Sequence, residues 1–293
     1  MLQTRSLTRR FGDRTVVDGL DLTVQPGRLT GFVGSNGAGK TTTMRMLLGV
    51  LAPSEGDVLW DGQPVTTEQR RRFGYMPEER GLFPRQPILE QLVFLARLHG
   101  ATTPDATARS SELLEMLGLG ERKNDLLDEL SLGNQQRVQV AAALVHHPEA
   151  LVLDEPFSGL DPVAVDQMTD LLHREAADLP VLFSSHQLDL VERLCDDIII
   201  LAGGRVVAHG SVDDLRAEGV ERYRVRLDGE DAGWIRSLGG ITVTDVDGET
   251  ALVDLDGTSG PDLLAAVAAK SRVAEFARVQ QPLSELYREV ATA

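Results

Sequence analysis

Gly34-Ser35-Asn36-Gly37-Ala38-Gly39-Lys40-Thr41 decides the fold of this chain. The apolar run 29–33 reads as a strand ending at Gly34. Residues 41–50 carry Met44, Leu47 and Leu48 at helical spacing. Strand, glycine-rich loop and helix together form the G-x-x-x-x-G-K-[ST] pattern. Its glycines let the backbone wrap with N–H groups pointing at phosphate oxygens. The helix start adds favourable potential for anions. Lys40, one of three lysines in the chain, can reach β- and γ-phosphates, and the Thr41 hydroxyl can reach Mg²⁺. Alone, the loop specifies a nucleotide phosphate and leaves kinases and GTPases open.

A second element lies downstream. Leu151-Val152-Leu153-Asp154-Glu155 is an apolar strand ending in two carboxylates. Asp154 is placed to hold the Mg²⁺ shell, and Glu155 to polarise an attacking water. Around these motifs, strands are expected at 2–8, 15–24, 57–60, 73–76, 181–184, 198–201 and 205–208. Helices are expected at 88–99, 110–119, 135–147 and 163–177. Alternating strands and helices predict an α/β fold with a largely parallel sheet.

The order changes near Gly219. Strands are expected at 222–227, 241–246, 250–255 and 273–279, with helices at 231–238, 261–270 and 282–290. Asp247-Gly248 is a hairpin signal. This is the ferredoxin-like order of a small α+β domain. The expected domains are therefore 1–219 and 220–293, with a helical part at about 79–147.

Composition excludes several classes. Lys and Arg number 29 against 45 Asp and Glu, a net charge of −16 over 293 residues. Sequence-independent nucleic-acid binding needs the opposite sign. No apolar run approaches the ~18–20 residues that span a bilayer. The basic N-terminus lacks the apolar stretch of a signal peptide. Cys195, the single cysteine, reads as a packing thiol in a reducing compartment. The expected location is cytoplasmic, with any membrane contact made through a partner.

Between the two phosphate motifs stands Leu130-Ser131-Leu132-Gly133-Asn134-Gln135-Gln136-Arg137. With it, the chain resembles the nucleotide-binding subunits of ABC transporters. The family's signature loop usually has Gly where Leu132 stands and Gln where Asn134 stands. Ser131 and Gly133 keep the pattern. The resemblance implies an ATPase that binds ATP on Phe11, residues 34–41 and Thr42. It also implies that Ser131, Leu132, Gly133 and Asn134 act on the ATP of a second subunit. Ser158-Gly159-Leu160-Asp161 resembles the loop that crosses the dimer, and His186 falls where the family has a switch histidine. Phe11 is placed to stack on adenine; as an isolated Phe it would read as core. His146 and His147 read as structural.

Pro77-Glu78-Glu79-Arg80-Gly81-Leu82 departs from the family pattern. Glu78 stands where Gln is usual, which leaves a Mg²⁺ ligand, a coupling residue or a solvated acid open. The segment is similar to ATPases paired with type-two export permeases, a branch that often carries a small C-terminal domain. The implied partners are an integral membrane permease and a second ATPase subunit, identical or not, with no nucleic acid. The implied place is the cytoplasmic face of the membrane. Ribosome- or DNA-acting relatives usually have two ATPase domains or long coiled coils, and neither pattern occurs here. A kinase would leave Ser131–Asn134 and His186 unexplained.

Overall fold

The structure, a computed structural model, describes residues 1–79, 81–217 and 220–279. The chain divides into two compact units, Met1–Val212 and Asp213–Ala293.

The first unit opens with a hairpin of β1 (Leu2–Phe11) and β2 (Arg14–Val24). Leu20, Leu22 and Val24 alternate inward along β2, the period of a half-buried strand. β4 (Glu55–Trp60) pairs with the other edge of β1, and the short β5 (Gln63–Pro64) closes the sheet in the order β2-β1-β4-β5. Its buried face shares a core with Phe32, Met44 and Leu47.

The second sheet carries the site. Its strands are β3 (Leu29–Gly34), β6 (Phe73–Met76), β7 (Ala150–Leu153), β8 (Val181–Ser185), β9 (Asp197–Ala202) and β10 (Arg205–Ser211). They lie in the order β10-β9-β3-β8-β7-β6. All neighbours are parallel except β10, which returns antiparallel on β9. β3, β7 and β8 are buried along their whole length, as strands covered on both faces must be. The phosphate loop, Glu78, Asp154-Glu155 and His186 each follow one of these strands. Parallel pairing therefore brings all four to the same edge of the sheet, the carboxyl edge where ligands bind in open α/β sheets.

Helices Ile88–Leu98, Thr103–Met116 and Leu132–Leu144 pack on one another between β6 and β7 in the chain. The second begins seven residues before its expected start. Thr102 accepts the Asp105 N–H at 3.3 Å as its cap, and Pro104 stands in the first turn. Small residues, Ala106 and Ser110, carry the buried side there, so the apolar periodicity is faint. The third is capped by Ser131 and stops at Leu144. His147 then turns left-handed at φ 52°.

The second unit has its own sheet of β11 (Arg222–Leu227), β12 (Ile241–Asp247), β13 (Thr250–Leu255) and β14 (Val273–Val279). The order is β12-β13-β11-β14 with every pair antiparallel, which is the ferredoxin-like arrangement. Helix Gly260–Ala268 covers it with Leu263 and Val267 in the core. A 3₁₀ turn, Ala232–Ser237, stands where a short helix is expected. The expected helix 282–290 lies outside the described residues.

Candidate ATP site

The phosphate loop is built by close approach. At Gly34 an added Cβ would come within 2.5 Å of the Leu201 carbonyl oxygen, so β3 can pass β9 only without a side chain there. Gly39 sits at φ 107°, a left-handed conformation that glycine adopts without steric penalty, and helix Lys40–Leu47 starts from it. No acidic residue stands in that helix's first turn to oppose an anion. Lys40 is buried, and its Nζ donates to the Gly34 carbonyl at 2.7 Å, which folds the ammonium back over the loop. A cavity of about 280 Å³ opens here, lined by Val16, Ser35, Asn36, Gly37, Gly39, Lys40, Thr41 and Thr42 on one side. Ala38 is buried beneath the loop and does not line it.

Glu78, Asp154 and Glu155 line the other side of the same cavity. The Asp154 N–H donates to the Met76 carbonyl at 2.8 Å, which ties the ends of β6 and β7 together two residues before Glu78. Asp154 is 1% exposed. Its Oδ1 accepts from Ser184 Oγ at 2.5 Å, while Oδ2 is buried with no hydrogen-bond partner. A buried, unpartnered carboxylate oxygen in a phosphate-sized cavity suits a divalent cation.

Glu155 has a positive φ of 53°, unusual for a residue with a side chain. Its N–H donates to Ser184 Oγ at 2.8 Å and its carbonyl accepts from Gln136 Nε2 at 2.8 Å. Its Oε2 lies 3.0 Å from His186 Nδ1. Burial pushes the Glu155 carboxyl above the usual carboxylate range, against the opposing pull of His186 and Lys40. A carboxylate made more basic at a cavity wall can accept a proton from water.

A second cavity of about 260 Å³ is lined by Asn36, Glu78, Leu132, Gln136, Glu155, Ser158, Gly159 and His186. Glu78 thus faces both cavities. Ser131 caps its helix by accepting the Asn134 N–H at 3.4 Å. Leu132 is 60% exposed. Gly133 packs on the loop 158–161, where an added Cβ would come 3.2 Å from the Gly159 carbonyl oxygen. Asp161 accepts the Ala164 N–H at 2.9 Å and so starts the helix Pro162–Ala176. Ser131, Gly133 and Asn134 do not line the phosphate cavity of their own chain.

Phe11 is 48% exposed, so the core alternative does not hold. The Arg9 guanidinium sits 4.5 Å from its ring centroid. The phosphate cavity does not include Phe11. Cys195 is half-buried, and desolvation pushes its thiol well up, away from the reactive thiolate form. His146 stacks on His99 with centroids 4.0 Å apart, outside both cavities. Burial and His99 lower its pKa to about 4.

Ser184, Gln136 and Val16 join the site without having been expected there. For Ser184 a signal exists: a hydroxyl in the otherwise apolar strand Val181-Leu182-Phe183 must find a partner when buried.

Among the described residues, no helix is long and apolar enough to cross a membrane. The family model of the ABC transporter matches residues 17–158. An uncharacterised ABC transporter ATP-binding protein, YhaQ of Bacillus subtilis, is 41% identical over 82% of this chain and 81% of its own length. A Nod factor export ATP-binding protein of Cupriavidus metallidurans is 37% identical over 73% of this chain and 72% of its own. A solved ATP-binding subunit of an ABC transporter superposes with a TM-score of 0.68 at 30% identity, covering 74% of this chain and 92% of that one. With a phosphate loop, two carboxylates and a histidine on one sheet edge, this chain belongs to the ATP-binding subunits of ABC transporters and is an ATPase of that family.

Proposed function

We propose that this chain powers export through a separate membrane permease by ATP-driven closure and reopening of a pair of ATPase subunits. One observation carries the paired site. The phosphate cavity holds Lys40, Asp154 and Glu155, while Ser131, Gly133 and Asn134 of the same chain lie elsewhere. A second subunit, placed head to tail, brings its residues 131–134 onto the triphosphate and its loop 158–161 across the contact. The export direction follows the named exporter among the relatives and the Glu78-Glu79-Arg80-Gly81-Leu82 segment. The ATPase domain is residues 1–219, the accessory domain is 220–293, and the permease holds the chain at the cytoplasmic face of the membrane.

Within the site, backbone N–H groups of 35–42 and the Lys40 ammonium hold the phosphates, and Phe11 stacks on adenine. Mg²⁺, when bound, neutralises charge on the β- and γ-phosphate oxygens, and Thr41, Asp154 and Glu78 are the residues that hold it. Glu155 takes a proton from the attacking water as that oxygen bonds to the γ-phosphorus and the bond to ADP breaks. His186 holds the Glu155 carboxylate in place. Fixed dipoles and cations aimed at developing charge supply most of the rate in such transfers.

Glu155→Gln tests the paired site, because it keeps the shape and removes the base. Light scattering with MgATP should give twice the monomer mass, and without nucleotide the monomer mass. A monomer under both conditions, also with the permease and any second ATPase subunit co-expressed, contradicts the paired site.

A further inference from the structure

We propose that Ser184 and Gln136 are positioning residues that clamp the Glu155 peptide from both sides, with Ser184 also fixing Asp154. The proposal rests on the reading of Glu155 as base and Asp154 as metal holder.

Glu155 sits at φ 53°, a conformation that is strained for a side-chain-bearing residue and persists only where the surroundings enforce it. Two side chains take part in the enforcing. Ser184 is fully buried at the end of β8, and its Oγ accepts the Glu155 N–H at 2.8 Å. Having accepted there, the hydroxyl donates its one proton to Asp154 Oδ1 at 2.5 Å. Gln136, also buried, donates Nε2 to the Glu155 carbonyl at 2.8 Å. Both main-chain polar groups of the strained residue are therefore claimed, the N–H from β8 and the carbonyl from the helix Leu132–Leu144, with the Ser158 N–H donating to the same carbonyl at 3.2 Å.

Two consequences follow. With Oδ1 held by Ser184, Asp154 is left with Oδ2 unpartnered, so a single hydroxyl sets the rotation of one carboxylate and the backbone of the next. Gln136 stands on the helix whose cap is Ser131, so a push on the 131–134 loop reaches the Glu155 carbonyl through one side chain. Neither residue lines the phosphate cavity, so neither is placed to bind the triphosphate.

The test is steady-state hydrolysis and MgATP affinity of the full chain for Ser184→Ala, Ser184→Thr and Gln136→Met, with thermal melts. Gln136→Met keeps length and volume but cannot donate. Ser184→Ala and Gln136→Met should each lower kcat tenfold or more, since small misplacements of catalytic groups cost up to about 10² in rate. For Gln136→Met, which leaves the Ser184–Asp154 bond in place, KM and MgATP affinity should stay within about threefold. Ser184→Thr, which keeps the hydroxyl, should regain most of the rate. Folded Ser184→Ala and Gln136→Met variants with wild-type kcat would overturn the clamp. If Ser184→Ala does not fold, Gln136→Met decides alone. Glu155→Gln run alongside separates the two readings: wild-type turnover there would remove the base itself, whatever the clamp variants do.

Discussion

Glu155 Oε2 and His186 Nδ1 face each other at 3.0 Å although 31 residues separate them in the chain. β7 and β8 are parallel neighbours, so the residues just beyond their ends meet. Burial makes the Glu155 carboxyl more basic, and His186 both limits that shift and fixes the oxygen it touches. The pair gives the site a base with a set orientation beside a triphosphate-sized cavity.

Lys40→Ala removes the cation that folds over the phosphate loop. Loss of one stabiliser of developing charge costs about 10²–10³ in rate. Turnover should fall by at least that factor, and nucleotide affinity should fall with it. Isothermal titration and phosphate release measure both. Wild-type turnover would contradict the placing of phosphates on this loop.

Glu78 faces the phosphate cavity with Asp154 and Glu155, where a carboxylate is a stronger Mg²⁺ ligand than an amide. Glu78→Gln should keep activity but raise the free Mg²⁺ needed for half-maximal rate. Glu79→Gln, absent from both cavities, should not. Rate against free Mg²⁺ for the two variants distinguishes them, and a Glu78→Gln curve matching wild type would remove the metal role.

Phe11→Ala should weaken ATP binding by about 1–3 kcal/mol, by analogy with base–aromatic stacking. The melting temperature should hold, because a ring 48% exposed contributes little to the core. Unchanged affinity with a lowered melting temperature would give Phe11 a purely structural role.

His146 predicts an acid limit to stability. Its pKa in the fold is about 4 against an ordinary 6.5, so between these values the unfolded chain takes up the proton first. Its contribution is intact above 6.5 and is lost progressively as pH falls toward 4. Melting temperatures of wild type and His146→Gln should therefore converge, or cross in favour of the variant, between pH 7 and pH 4.5. A constant difference would show that His146 does not titrate in this window.

The parts of the site fixed by local chemistry are legible in the sequence. Glycines followed by Lys40-Thr41 dictate a phosphate loop because few backbones satisfy that spacing, and β7 ends at Leu153 because the apolar run stops at Asp154. Ser184 is not legible as a partner of Asp154. That bond depends on β8 lying between β3 and β7, a long-range pairing that no local pattern encodes. The early start of helix Thr103–Met116 escapes for a different reason, since Ala106 and Ser110 bury a face too small to give a clear period. The exposure of Phe11 follows from its place at the end of β1, beyond the last buried residue of that strand.

Glu155 as the base of an ATPase site built on residues 34–42 stands or falls with Glu155→Gln. Because burial raises the Glu155 pKa, the ionised carboxylate opposes folding at neutral pH, so the amide should leave the melting temperature unchanged or higher. MgATP affinity and phosphate release, measured on the same preparation, then decide the role of the carboxylate. Affinity should be at or above wild type, with hydrolysis reduced by at least about 10²-fold. A well-folded Glu155→Gln protein that releases phosphate at the wild-type rate would place the base elsewhere.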